Sequence, residues 1–110
     1  MTEAEQHLLF LRTDEGHVVA TIEVMRGVDE AEILNIETLA SHRRQGLAQS
    51  LLAETFDWAR KNQRKAVWLE VRTSNHAAIH LYRKTGFIQA GVRKRYYADG
   101  EDALVMKYNV

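Results

Sequence analysis

The sequence predicts an α/β (α+β) fold: a mixed, mainly antiparallel sheet with helices packed on it, in the order β-β-β-α-β-α-β-β. Three observations carry this. The apolar residues switch near residue 46 from strand-like runs to a helical recurrence. Turn-separated strand runs near both ends imply antiparallel hairpins. The β-α-β stretch between them implies a parallel crossover.

His7–Arg12 reads as the first strand and ends at the turn Asp14-Glu15-Gly16. Val18–Met25 is the second, rich in the β-formers Val18, Val19, Thr21, Ile22 and Val24. After a turn at Gly27–Glu30, Glu32–Leu39 forms the third, with Ile33, Leu34 and Ile36 apolar. From Gly46 to about Gln63, Leu47, Leu51, Leu52, Phe56 and Ala59 recur at helical spacing. Gln49, Glu54, Asp57 and Lys61 then face water. Ala66–Arg72 is a short strand in which Val67, Leu69 and Val71 point opposite to Trp68, Glu70 and Arg72. Ser74 or Asn75 caps a second helix that runs to about Lys84, buries Ala78, Leu81 and Tyr82, and stops at Gly86. Phe87–Tyr97 and Asp102–Tyr108 are the last strands, joined through the Asp99-Gly100 turn.

The 110 residues suit a single domain, 1–110, with enough chain for a core. The absence of cysteine excludes thiol nucleophiles, Cys-ligated metals and disulfides. Fifteen Lys plus Arg against fifteen Asp plus Glu argue against a broad nucleic-acid surface. Glu3 and Glu5 are unlike the start of a signal peptide, and no run approaches the ~18 apolar residues of a membrane span. A cytoplasmic protein without membrane or specific nucleic-acid partners is the expectation.

Three segments hold candidate chemistry. Arg43-Arg44-Gln45-Gly46-Leu47-Ala48 leads into the long helix. Helix N-termini offer unpaired N–H groups and partial positive charge, and small residues let a phosphate approach them. A plain basic loop entering a helix has the same residues. Glu70 is a lone carboxylate on an otherwise apolar strand, either a general base or a surface carboxylate paired with Arg72. In the segment Ser74 to Phe87, Tyr82 is either a core aromatic or a proton donor beside Glu70, and Asn75 is at least an N-cap. His76 and His80 have a metal-binding spacing but lack an acidic partner, so they read as solvent-facing and no metal is expected. Arg93-Lys94-Arg95 reads as a solvated strand edge or an attractor of acidic acceptors or RNA.

Two of these segments together resemble a known family. Arg43 to Ala48 is similar to the acetyl-CoA motif of the GCN5-related N-acetyltransferases (Q/R-x-x-G-x-G/A). Asn75 to Phe87 is similar to the family's N-x-x-A-x-x-L-Y-x-x-x-G-F run, in the right order and spacing. Trp68-Leu69-Glu70-Val71-Arg72, Arg95-Tyr96-Tyr97 and Glu101-Asp102-Ala103 resemble the family's RimI-like type, which acetylates the N-terminal alanine of a ribosomal protein. The resemblance covers about residues 8–108 and implies a GNAT-like sheet.

The resemblance implies that acetyl-CoA lies between strands three and four. Its pantetheine arm pairs with Ile36, Glu37 and Thr38, and its pyrophosphate sits on the amides of Arg44 through Gln49 (Gln45, Gly46, Leu47 and Ala48 among them), beside Arg43. Asn75 hydrogen-bonds the cofactor, and the amide near Leu39 donates to the thioester oxygen. Glu70 matches the general base and Tyr82 the general acid. Tyr96 and Tyr97 line an acceptor groove or are ordinary strand aromatics. The acceptor is a protein N-terminus or a small amine; a CoA-binding protein without efficient turnover is the third reading. Family members carry a strand and a helix pair before the first hairpin, whereas this chain starts almost at that hairpin. A homodimer supplying the acceptor wall is therefore expected.

Overall fold

The computed structural model describes residues 6–110; Glu3 and Glu5 lie outside that range. The strands are β1 (His7–Asp14), β2 (His17–Arg26), β3 (Glu30–Thr38), β4 (Ala66–Arg72), β5 (Ile88–Arg93) and β6 (Ala103–Asn109). They form one sheet in the order β1-β2-β3-β4-β6-β5. Only β3 and β4 pair in parallel; every other neighbour pair is antiparallel. The crossover is helix α1 (Leu47–Lys61), preceded by a 3-10 turn at Ala40–His42; helix α2 (His76–Thr85) follows β4.

The alternation in β4 sets the two faces of the sheet. Val67, Leu69 and Val71 are buried, while Trp68, Glu70 and Arg72 are half-buried on the other side. Ile22 and Val24 of β2, Ile33 of β3 and Met106 of β6 join the buried set. Helix α1 covers this face with Leu51, Leu52, Phe56 and Ala59. Burying each large side chain of this kind stabilises by about 1.5–3 kcal/mol. Thr55 is also fully buried, and its Oγ1 donates to Leu51 O at 2.9 Å, which offsets the cost of hiding a hydroxyl. Ala78, Ile79, Leu81 and Tyr82 of α2 pack on the same core. Among the described residues no helix covers the opposite face, where Leu9 and Leu11 of β1 are exposed. Among the described residues no helix is long and apolar enough to cross a membrane.

Asn75 caps α2 by accepting from Ala78 N at 3.2 Å, and Gly86 ends it in the left-handed conformation, φ 115°. Gly86 also lies against the aromatic end of the core. A Cβ there would stand 2.9 Å from Tyr108 Cε2. Tyr108 cannot yield easily, because its ring stacks on Phe56 with centroids 3.7 Å apart.

The last hairpin departs from expectation. The fifth strand does not run to Tyr97: the β5–β6 ladder closes at Arg93↔Ala103. Arg95 takes a positive φ of 50° and donates its amide to Asp102 Oδ1 at 2.9 Å, turning the chain out of the sheet. The Asp99-Gly100 turn does form, with Gly100 N donating to Tyr97 O at 2.9 Å, but it closes a protruding loop. Tyr96 and Tyr97 are therefore loop residues.

Gly86→Ala combines backbone strain with a ring clash. It is expected to lower stability by about 1–3 kcal/mol, measured as a shift in the urea midpoint with an unchanged slope.

Candidate active site

The sheet opens between β3 and β4. Their pairing consists of Glu30↔Ala66, Ala31↔Val67 and Glu32↔Trp68, after which the strands part. A bulge accompanies the parting: Val24 faces Ile33 while Glu23 faces Asn35, so Leu34 is an extra residue in β3. Leu39 N donates to Val19 O at 2.9 Å. The alternation of an antiparallel ladder then turns the main-chain groups of Glu37 toward β2, and those of Ile36 and Thr38 toward the gap. This corrects one expectation. The Leu39 amide is already bonded and cannot donate to a thioester oxygen, whereas Ile36 and Thr38 present main-chain groups there.

A cleft of about 1010 Å³ lies along the helix-covered side of this gap. Ile36, Glu37, Thr38 and Leu39 form one wall. Arg43, Arg44, Gly46, Leu47, Ala48 and Gln49 form its end. Gln45 does not line it. Asn75, Leu81 and Tyr82 complete it from α2. At the helix end Ser50 N donates to Gly46 O, so the amides of Leu47, Ala48 and Gln49 lack intrahelical partners. Gly46 holds φ 76°, and a Cβ there would meet no protein atom within 4 Å; it would project into open space. Arg43 Nε donates to Thr38 O at 3.3 Å, tying the loop to the end of β3. His42 bonds Asp14 Oδ2 at 2.8 Å and Ser41 Oγ at 2.8 Å, bracing the loop against the β1–β2 turn. That brace was not anticipated from the sequence, since Asp14 is 28 positions away.

Tyr82 is half-buried, and burial pushes its phenol above the ordinary value of 10.0, with the neighbouring Tyr97 adding to the rise. It stays protonated at neutral pH, as a proton donor must.

Glu70 does not sit in this cleft. It lines a second one, about 410 Å³, on the open face with Glu32, Trp68 and Arg93. Its side chain is 16% exposed, and Oε1 lies 3.3 Å from Arg93 Nε. Oε2 is buried with no hydrogen-bond partner. The predicted pairing with Arg72 does not occur. Arg72 binds Asp99 at 2.8 Å and Glu101 at 2.9 Å, and lies 4.0 Å over the Tyr97 ring. Tyr82 and Glu70 thus occupy opposite sides of the sheet rather than one pocket. Tyr97 stands electrostatically between them. Burial raises its phenol and Arg72 lowers it, and the negative charge of Glu70 raises it further. The Tyr96 phenol is raised above 10.0, first by Glu70 as acceptor and then by its charge.

The loop carrying both tyrosines is pinned at its base. Glu101 Oε2 accepts from Ser74 N at 2.9 Å, and Oε1 from Arg72. These hydrogen bonds, those from Ser74 first, hold the Glu101 carboxyl at about 2 instead of 4.5. His76 and His80 are exposed, and among the described residues no cluster of three metal-ligating side chains exists.

The model of the acetyltransferase (GNAT) family matches residues 1–87, and the chain belongs to that family. It is an N-acetyltransferase, and acetyl-CoA is the cofactor of the family. The chain is 40% identical over 107 residues to the [ribosomal protein bS18]-alanine N-acetyltransferase of Escherichia coli strain K12. The match covers 94% of this chain and 72% of that protein. The crystal structure of the ribosomal-protein-S18-alanine N-acetyltransferase from Escherichia coli superposes with a TM-score of 0.90 at 39% identity, covering 96% of this chain and 70% of that one. A GNAT family acetyltransferase from Elizabethkingia anophelis, solved with acetyl-CoA bound, shares the fold at 18% identity. Its TM-score is 0.89, over 97% of this chain and 78% of the other.

Two measurements check this site. Gly46→Val should weaken CoA binding by about tenfold or more in calorimetry, since a side chain there fills the approach to free amides and strains a left-handed position; undiminished affinity would contradict the cradle. The second concerns Glu101. Its folded pKa is depressed, so its stabilisation is complete above about 4.5 and is lost as pH falls toward about 2. The Tm gap between wild type and Glu101→Gln should be constant at neutral pH and narrow across that window.

Proposed function

We propose that the chain transfers acetyl groups from acetyl-CoA to the α-amine of a protein N-terminus, with Glu70 as general base and Tyr82 as general acid. The observation that carries this is the unpartnered, buried Oε2 of Glu70 beside the strand gap, opposite a cleft that ends in free helix amides. The similarity to an alanine N-acetyltransferase along nearly the whole chain supports the acceptor class.

The residues present fit acetyl-CoA. The amides of Leu47, Ala48 and Gln49, with Arg43 and Arg44, suit its pyrophosphate, and the main-chain groups of Ile36 and the amide of Thr38 suit an extended amide-bearing arm. Asn75 spends Oδ1 on its own helix and keeps its amide hydrogens for a ligand. When bound, acetyl-CoA supplies an acetyl thioester whose C–S bond breaks as the acceptor's N–C bond forms. Glu70 takes one proton from the acceptor ammonium. Tyr82 Oη gives its proton to the departing sulfur and is restored by the second proton shed from the nitrogen. An α-amine, with a pKa of about 8, yields its proton to such a base more readily than lysine at about 10.4. No covalent enzyme intermediate is needed, in keeping with a chain that has no cysteine.

On this reading the enzyme acts in the cytoplasm, where new N-termini are made, and needs no nucleic acid. The exposed Leu9 and Leu11 on the uncovered face support a homodimer; light scattering that finds only monomer at micromolar concentration would reject it.

Acetyl-CoA with peptides bearing N-terminal alanine, or internal lysine behind a blocked N-terminus, should give product by mass spectrometry only with the first. Acetylation of small amines alone would favour the small-molecule reading, and CoA binding without product the binding-only one. Glu70→Gln and Tyr82→Phe should each lower kcat by about 10²-fold with little change in CoA affinity. Unchanged rates in both would remove the catalytic assignment.

A further inference from the structure

One charged group contacts the Glu70 carboxylate, and it comes from a residue with no other assigned role; the Tyr96 hydroxyl is the neutral donor beside it. Arg93 is the last residue of β5 and reaches back along the open face to place Nε 3.3 Å from Glu70 Oε1. The other cations nearby are committed. Arg72, two positions along β4, is bound to Asp99 and Glu101. Lys107 of β6 lies 5.0 Å over the Trp68 ring, and Lys94 pairs with Asp102. The remaining charge lining the same cleft is negative, from Glu30 and Glu32. Without Arg93, Glu70 would face those carboxylates with no cation beside it.

The two oxygens of Glu70 are also unequal. Oε1 has its cation, while Oε2 is buried and accepts from nothing. Buried polar atoms without partners are rare in native proteins, and one at the mouth of a reaction gap is an acceptor awaiting a donor. The Arg93 guanidinium lies 5.9 Å from the Tyr96 ring centroid, so the arginine is itself steadied by the loop that follows β5.

We propose that Arg93 is a positioning residue for acetyl transfer: by binding Oε1 of Glu70 it fixes the carboxylate and leaves Oε2 as the oxygen that takes the acceptor's proton. This rests on the reading of Glu70 as general base. It gives a role to one residue of the basic run 93–95 that a solvated strand edge would not need.

Steady-state kinetics with acetyl-CoA and an N-terminal-alanine peptide test it, using Arg93→Gln, Arg93→Lys, Glu70→Gln and the double variant Glu70→Gln/Arg93→Gln. The Arg93 side chain is 59% exposed, so its replacement leaves the core intact, and a thermal melt checks this. Arg93→Gln should lower kcat about tenfold with the KM for acetyl-CoA unchanged. Arg93→Lys, which restores a cation without the planar fork, should recover part of that loss. In the double variant Arg93→Gln should add no further loss, because its effect passes through the carboxylate. If Glu70→Gln is impaired but Arg93→Gln keeps full kcat, or if the two losses multiply, the positioning role is wrong and the base survives. If Glu70→Gln itself keeps full kcat, the base reading falls and takes this inference with it.

Discussion

The site depends on a strand pair that stops pairing. Three residue pairs join β3 to β4 and then the ladder ends, leaving two internal strands with unsatisfied edges in the middle of a sheet. Unpaired main-chain groups at an interior position are costly unless something binds them. An extended, amide-bearing ligand can complete the ladder where the protein declines to. The extra residue Leu34 supplies the local twist, and the pairs that do form hold both strands rigid up to the fork. Everything chemical is arranged around that fork. The free helix amides and Tyr82 lie on the covered face, and Glu70 and Arg93 on the open one.

The rigidity behind the fork comes from the packed face. Leu51, Leu52, Val67, Met106 and the Phe56–Tyr108 stack fix the helices against the strands, so the start of α1 and the start of α2 are held in place by apolar residues that do not line the cleft. The same strand serves both faces: β4 alternates Val67, Leu69 and Val71 into the core with Trp68, Glu70 and Arg72 on the open side. A period of two is enough to keep the core side chains and those of the open face apart.

Much of this was legible in the residues. The bounds of β4, the Asn75 cap, the Gly86 stop and the helical face of α1 follow local rules, and local rules read well from sequence. The start of α1 at Gly46 is legible for the same reason, since a left-handed glycine before a helix is a local event. What escaped was non-local. Arg72 looked like the partner of Glu70 because they are neighbours on one strand face, yet its partners Asp99 and Glu101 lie 27 and 29 positions on. The short fifth strand escaped because β-forming tyrosines outweighed a single left-handed Arg95, whose turn is stabilised by the Asp102 side chain. The occupied Leu39 amide required knowing the β2–β3 register.

The anchoring of the tyrosine loop separates the two faces of the strand gap. Residues 94–102 leave the sheet as a unit and are fastened at their base through Asp99, Glu101 and Asp102 to Arg72, the Ser74 amide and the Arg95 amide. None of these fasteners lines the helix-covered cleft. The loop is therefore a cassette. Its fasteners and the residues that line the helix-covered cleft are separate sets, which makes the two faces of the gap modular.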